Sequence, residues 1–319
     1  MNKNNVLVVV DFSAWLYMTI FNAFNSWSKN YKNEYSSMIK SPEETDQDNL
    51  PNLLVSESFK KELKISTMKK LHFIDWILKR NCQDILDSAD EIVVVFAEDD
   101  FLYNNFRKKL FPDYKIQRSL SKKSWDYKKV RDWVVNSILP DLDLYKKNGY
   151  IRIGCKGAEA DDIIAVMMQD DSKIWFSKIL ISSDHDFCQI KDIKQFNIFG
   201  DEVIPWVDKN KGIKMTNDEV KLIKSIIGDT SDNIPQIFPR VGIKTAWKLC
   251  KDRSKLKQML KENKNAAKQY ILNRKLVDFN YIPQTLKTDI LKTIHENLDK
   301  VIEKDIENED KILSDLMNL

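Results

Sequence analysis

The chain has 319 residues, of which 43% are apolar and 31% charged, with a net charge of +3. This is ordinary for a globular protein and long enough for one large α/β domain or two modest ones. Four widely spaced cysteines without a CxxC pair argue against a disulfide framework or a zinc site and read as reduced cytosolic thiols, hence a cytoplasmic protein. No apolar run approaches the ~20 residues that span a bilayer, and no signal-peptide pattern or internal repeat is present.

Val6 to Val10 is a continuous β-branched apolar run, expected of a buried parallel strand. It ends at Asp11, which serves either as a metal ligand at a strand end or as the N-cap of the helix read over Ala14–Phe24. Lys29 to Glu57 is polar, with Pro42, Pro51 and an acidic run from Glu43, and reads as a mobile surface insertion. Phe59 to Leu86 reads as a helix with Leu63, Leu71, Ile74, Ile77 and Leu78 inward and a structural His72 beside them. Ile92 to Phe96 is the next buried strand, and it too runs into acid at Glu98, Asp99 and Asp100.

The stretch from Phe101 to Arg131 carries ten cations against two acids, interleaved with seven aromatic residues. Cations for phosphates and flat rings for bases describe a single-strand binding surface. The alternative is a solvated helix face with some core rings. Tyr150 to Ile153 reads as a strand feeding the most informative segment, Gly157 to Asp186. There Glu159, Asp161 and Asp162 open an apolar helix, and Asp184 and Asp186 follow a strand over Lys178–Ser183. Carboxylates gathered in this way repel one another unless a cation is shared. Hard oxygen donors suit Mg²⁺ or Mn²⁺, and two groups of acids suit two ions better than one.

Phe196 to Phe199 is expected as a further strand, and a smaller region begins near Met215. Asp229 and Asp232 are spaced to face one way and to reach the second ion. Pro239 and Gly242 suit a tight turn between short helices, whose amides can hold a phosphate. From Arg240 to Lys275, twelve cations face two acids, a second footprint suited to a duplex backbone.

The ordered set Val10-Asp11-Phe12-Ser13, Tyr114-Lys115 with Arg118, Glu159-Ala160-Asp161-Asp162, Ser183-Asp184-His185-Asp186 and Gly228-Asp229 through Ala246 resembles the 5′-nuclease (flap endonuclease) superfamily. Ser124-Trp125-Asp126 and Leu276 to Pro283 bring it closest to the T-even phage ribonuclease H branch. The resemblance covers about residues 6 to 285. It implies an α/β fold of the PIN-like kind, a central, mainly parallel sheet flanked by helices, over residues 1–214. A helical C-terminal region, residues 215–319, would carry a helix–three-turn–helix element. It implies structure-specific 5′→3′ exonuclease and flap endonuclease activity on DNA and RNA–DNA duplexes, as in RNA primer removal during phage replication. Two Mg²⁺ ions, replaceable by Mn²⁺, would be the cofactors, with K⁺ at the Val241–Ile243 turn. Asp11, Glu159, Asp161, Asp162 and Asp184 would line the first ion, and Asp186, Asp229 and Asp232 the second. Lys115, helped by Arg118, would meet the scissile phosphate.

The family places an acid directly after the second strand, where this chain has Ala97. Counting back from Arg107 favours Asp99. Residues 100–131 would form an arch that passes a 5′ single strand. Arg107, Lys122, Lys123 and Trp125, with Arg240, Val241, Gly242, Ile243, Lys244 and Thr245, are the expected nucleic-acid contacts. His185 fills a slot usually held by a small residue and reads as a bystander. The expected molecule is a monomer with no membrane association, a single-strand-binding protein or sliding clamp being its expected partners. Glu296–Leu319 reads as a packing helix, with docking of a replication protein as the alternative. Two other readings are a catalytically silent scaffold, which should lack some of the acids, and a small-molecule phosphohydrolase, which needs neither basic footprint.

Overall fold

The computed structural model describes residues 4–100, 105–117, 123–142, 150–170 and 175–298. Five parallel strands form its centre: β1 (Asn5–Asp11), β2 (Glu91–Glu98), β3 (Ile151–Gly154), β4 (Trp175–Ile181) and β5 (Lys194–Phe196). Their order is β3-β2-β1-β4-β5. The apolar run of β1 takes the middle because both its faces are covered, and Val6 to Val10 are wholly buried. Val10 lies opposite Phe96 on one side and Ile181 on the other, and Asp11 opposite Ala97. The carboxyl ends are therefore level. The chain runs outward from β1 to β3 and then crosses to β4, so the topological switch falls between β1 and β4, where open α/β sheets form a crevice.

Helix α1 (Phe12–Asn30) begins directly on Asp11, whose carboxylate accepts the Ala14 N–H at 3.0 Å. Asp11 thus caps the helix, and its carboxylate also faces the crevice. α2 (Lys32–Met38) follows, then α3 (Glu57–Asp87), capped by Ser56 and locally non-helical at Cys82. Phe12, Trp15, Ile20 and Trp27 of α1 and Leu63, Leu71 and Ile74 of α3 cover one face of the sheet. The segment over residues 29–57 lies mostly at the surface, as expected, but carries more regular structure than its composition suggests. It extends α1, forms α2 and buries Leu53 completely, because Tyr31, Tyr35 and Met38 continue the apolar cluster around Trp27. His72 is exposed. β5 stops at Phe196, since the Asn197 side chain accepts the N–H groups of Phe199 and Asp201 and turns the chain.

Short helices α4 (Phe106–Leu110) and α5 (Tyr127–Trp133) carry part of the basic stretch, near its two ends. The other sheet face is covered by α6 (Ala160–Gln169), through Ile163, Ile164 and Met167. Phe279, Ile282, Ile290 and Ile294 return to that same cluster, the last two from a helix over residues 284–298. The packing expected of Val301 to Leu316 lies outside the described residues. Beside the sheet, α7 (Asn217–Ile227), α8 (Ile243–Lys251) and α9 (Arg253–Glu262) share a third cluster with Ala266 of α10 (Lys264–Val277). All four cysteines are buried and free. Among the described residues no helix is long and apolar enough to cross a membrane.

α7 ends at Gly228, where φ is +71° and ψ −164°, a region open essentially to glycine alone. A Cβ there would stand 2.2 Å from the Ile234 carbonyl oxygen. The close approach is needed because Asp229 and Ile234 exchange backbone hydrogen bonds across the turn. Gly228→Ala is expected to lower unfolding free energy by about 3 kcal/mol in urea titration, and a loss under about 1 kcal/mol would contradict this account.

Candidate metal centre

At the carboxyl edge of the sheet lies a cavity of about 280 Å³ whose wall includes Asp11, Asp99, Asp161, Asp184, Asp186, Asp229 and Asp232, with Lys115, Ser13 and Ser231. Five separate pieces of chain supply these acids: the end of β1, the loop after β2, the first turn of α6, the loop after β4 and the turn after α7. Most of these acids are aimed by a neighbour. Asp11 accepts from Ser182 Oγ at 3.1 Å as well as from Ala14. Asp184 accepts the Asp186 N–H at 2.8 Å, and Asp229 accepts Ser231 N–H and Oγ at 2.9 and 2.6 Å.

The acids after β2 point in different directions. Glu98 turns away to Arg152 at 3.0 Å, and Asp100 accepts the Gly157 N–H at 2.7 Å. Asp99 faces the cavity, holding the Ser13 hydroxyl and the Ala160 N–H, the latter at 2.8 Å.

Glu159 and Asp162 lie behind this wall rather than on it. Arg107, expected on a nucleic-acid face, is 3% exposed and reaches Glu159 at 3.1 Å, Asp162 at 2.8 Å and the Leu276 carbonyl at 2.9 Å. Here the three side chains face one another, behind the acids that line the cavity. A guanidinium enclosed with two carboxylates is a structural pair, and it leaves Arg107 no donor face toward solvent. Lys115 sits 2.6 Å from Glu159, with a positive φ of 56° and its N–H bonded to the Asp232 carbonyl at 3.0 Å. The Tyr114 hydroxyl lies 3.1 Å from an oxygen of each of Glu159 and Asp232.

Lys224 was not anticipated. From the last turn of α7 its ammonium contacts Asp186 and, at 2.7 Å, Asp229. The available signal was its place five residues before Asp229, on the helix that presents that acid.

Burial pushes the Asp11 carboxyl up to about 6, with Asp99 and Asp184 adding to it. Burial likewise pushes Asp186 up to about 6, with Lys224 pulling the other way, and holds Asp161 well above the carboxylate range. For Glu159 burial is outweighed by Lys115 and Arg107, which hold it low. Lys224 is held above the usual lysine range: burial works against its charge, and Asp186 and Asp229 outweigh it. The donor set facing the cavity is all carboxylate oxygen. Among the described residues no three such side chains yet close on one point as an ion would draw them.

The remaining expected contacts are more scattered. Lys123 is exposed, whereas Trp125 stacks on Phe24 with centroids 5.4 Å apart. Arg240, Gly242 and Thr245 are exposed at the start of α8, with Val241 and Ile243 half-buried beside them. Lys244 pairs with Asp208 at 2.6 Å. His185 is exposed. Arg118 and Lys122 lie outside the described residues.

Residues 57–222 match the family model of the 5′-3′ exonuclease N-terminal, resolvase-like domain. The chain belongs to this family of nucleases. Among its relatives, a 5′-3′ exonuclease of Buchnera aphidicola is 28% identical over 238 residues, covering 69% of this chain and 75% of its own. Ribonuclease H of Enterobacteria phage T4 is 26% identical over 215 residues, covering 62% and 68%. A T5 protein solved with metal ions aligns over 95% of this chain and 98% of its own, with a TM-score of 0.55 at 17% identity, which speaks for the fold.

The raised acids set a sign for pH dependence. A carboxyl whose folded value exceeds its unfolded one keeps its proton better in the folded state, so stability falls as pH rises between the two values. Without divalent ions, Asp11 should remove about 3 kcal/mol as pH climbs from about 4 through about 6, and Asp186 should act in the same direction. Asp11→Asn in EDTA should be less pH-sensitive across that window and more stable than wild type at pH 7.5 by thermal melting. A steeper dependence in the variant would contradict this.

Proposed function

We propose that the chain is a divalent-metal-dependent 5′-nuclease that hydrolyses phosphodiesters near the 5′ ends of DNA and RNA–DNA duplexes, flaps included, as primer removal requires. The observation that carries this is the single cavity on which seven carboxylates from five parts of the chain meet beside Lys115. The donor set fits Mg²⁺, with Mn²⁺ as a substitute, because every ligand offered is a hard oxygen and the burial of Asp11, Asp161 and Asp186 resists their charge until a cation is added. Asp11, Asp99, Asp161 and Asp184 would hold one ion, and Asp186, Asp229 and Asp232 the other. Such a pair supplies Lewis acidity to both the attacking and the leaving oxygen of a phosphodiester.

The chain's own residues do the rest. Ser13, Ser182 and the Ala14 and Ala160 amides fix Asp99 and Asp11, so the acids need not reorganise. Lys224 bridges Asp186 and Asp229 and would keep the two carboxylates together between turnovers. Lys115 brings a positive charge to the cavity rim, where negative charge grows on the phosphate during cleavage. Arg107 neutralises Glu159 and Asp162 from behind and leaves the facing acids free for cations. The turn Arg240–Thr245 would take the duplex backbone on its amides at the start of α8, and its carbonyl oxygens would take a K⁺ ion.

The test is cleavage of a 5′-labelled flap and of a nicked RNA–DNA duplex in Mg²⁺. Asp184→Asn and Asp186→Asn should each abolish it, and Lys115→Ala should slow it by about 10²–10³-fold. Undiminished cleavage by both aspartate variants would rule the proposal out.

A further inference from the structure

The carboxyl end of α10 is tied to the supports of two acids on the cavity wall, Asp161 and Asp186. The last carbonyls of a helix have no partner inside it and must find one elsewhere. Here the Leu276 carbonyl accepts from Arg107 Nε at 2.9 Å, and the next one, of Val277, accepts from Gln189 Nε2 at 3.0 Å. Arg107 in turn holds Glu159 and Asp162, which close the first turn of α6 that presents Asp161. Gln189 in turn donates to the Asp186 carbonyl, again through Nε2, at 2.9 Å. Two consecutive carbonyls thus join the support of one acid to that of the other.

Gln189 is 6% exposed and is not on the cavity wall. Its Oε1 accepts the Phe279 N–H at 3.1 Å. One side-chain amide therefore meets three backbone groups, two carbonyls through its N–H pair and one N–H through its oxygen. Phe187, next to Asp186, is wholly buried and stacks on Phe279 with centroids 5.6 Å apart. Asp186 is held at both backbone polar groups, its N–H by Asp184 at 2.8 Å and its carbonyl by Gln189. Capping the helix end would need only the bond to Val277. The other two bonds fix residue 186 against the chain that returns from α10.

We propose that Gln189 is a positioning residue for the second ion: it holds the Asp186 backbone to the end of α10 and so sets where that acid stands relative to Asp161. The inference rests on the two-ion reading. Groups that orient metal ligands from behind typically govern metal affinity by about 10–100-fold. The first group of acids is aligned by Arg107, Ser13 and Ser182, none of which bonds to the Gln189 amide. Loss of that amide should therefore separate the two ions in affinity.

Wild type and Gln189→Met are titrated with Mn²⁺ alone, the free ion being read by its electron paramagnetic resonance signal. Methionine nearly matches glutamine in volume and makes none of its hydrogen bonds, so the substitution leaves no hole. Wild type should bind in two steps, the second ion being identified by its loss in Asp229→Asn. Gln189→Met should weaken that step about 10–100-fold and leave the other unchanged. Gln189→Asn, whose amide falls one methylene short of its partners, is the milder replacement and should show the same split in smaller measure. Ile290→Ala, wholly buried in the cluster that holds Phe187 and Phe279 yet outside these bonds, controls for lost stability: it should melt lower and take up both ions as wild type does. If the Gln189 variants bind both ions as wild type does or weaken both steps alike, or if Ile290→Ala reproduces the split, the inference is overturned and the nuclease reading stands. A wild type that takes up fewer than two ions overturns the two-ion reading and the inference together.

Discussion

The acids at the carboxyl edge of the sheet repel one another, and much of the molecule is arranged around that repulsion. Parallel strands bring it about, because level carboxyl ends place Asp11 next to the loops that carry Asp99 and Asp184. Three cations offset part of it from fixed positions. Arg107 stands beneath the site, Lys115 at its rim and Lys224 between two of its members. Their partners are Glu159, Asp162, Asp186 and Asp229, while Asp11 and Asp161, which pair with none of the three, carry the raised proton affinity that burial imposes. The negative charge left over at those two acids is what a bound cation would answer.

The same demand explains why the C-terminal helices cannot be read apart from the sheet. The turn after α7 delivers Asp229 and Asp232, and it is stitched to the Asp113–Lys115 segment through backbone and side chain. Tyr114 spans the joint, with its hydroxyl against Glu159 on one side and Asp232 on the other, while its ring is buried with Ile234, Leu276 and Val277. Movement of this turn is therefore felt at Lys115. The tight bend at Gly228 holds this arrangement to one conformation, which suits a site whose charges tolerate little drift.

Apolar periodicity made most of this legible in the sequence. β1, β2 and β4, α3 and α6 each announce themselves by what they bury, and the acids that follow them fall where the switch point requires. Direction is what the sequence withholds. Glu98, Asp99 and Asp100 are adjacent and alike, and only the partners Arg152, Ser13 and Gly157 separate them. Arg107 sits in a run of lysines that reads as a binding surface, and nothing local reveals that it alone is enclosed. Lys224 lies on an amphipathic helix in the ordinary place of a solvated residue. The segment over residues 29–57 looked like polar filler because its few apolar residues find their partners in distant α1, whose extent past Phe24 was itself missed. In each case a long-range contact overrode the local pattern.

Diffraction from a crystal soaked in Mn²⁺, read by its anomalous signal, bears most directly on the central claim. Two peaks inside the cavity are expected, one bounded by Asp11, Asp99, Asp161 and Asp184 and one by Asp186, Asp229 and Asp232. Manganese bound elsewhere, with the cavity empty and its carboxylates unmoved at neutral pH, would contradict the account.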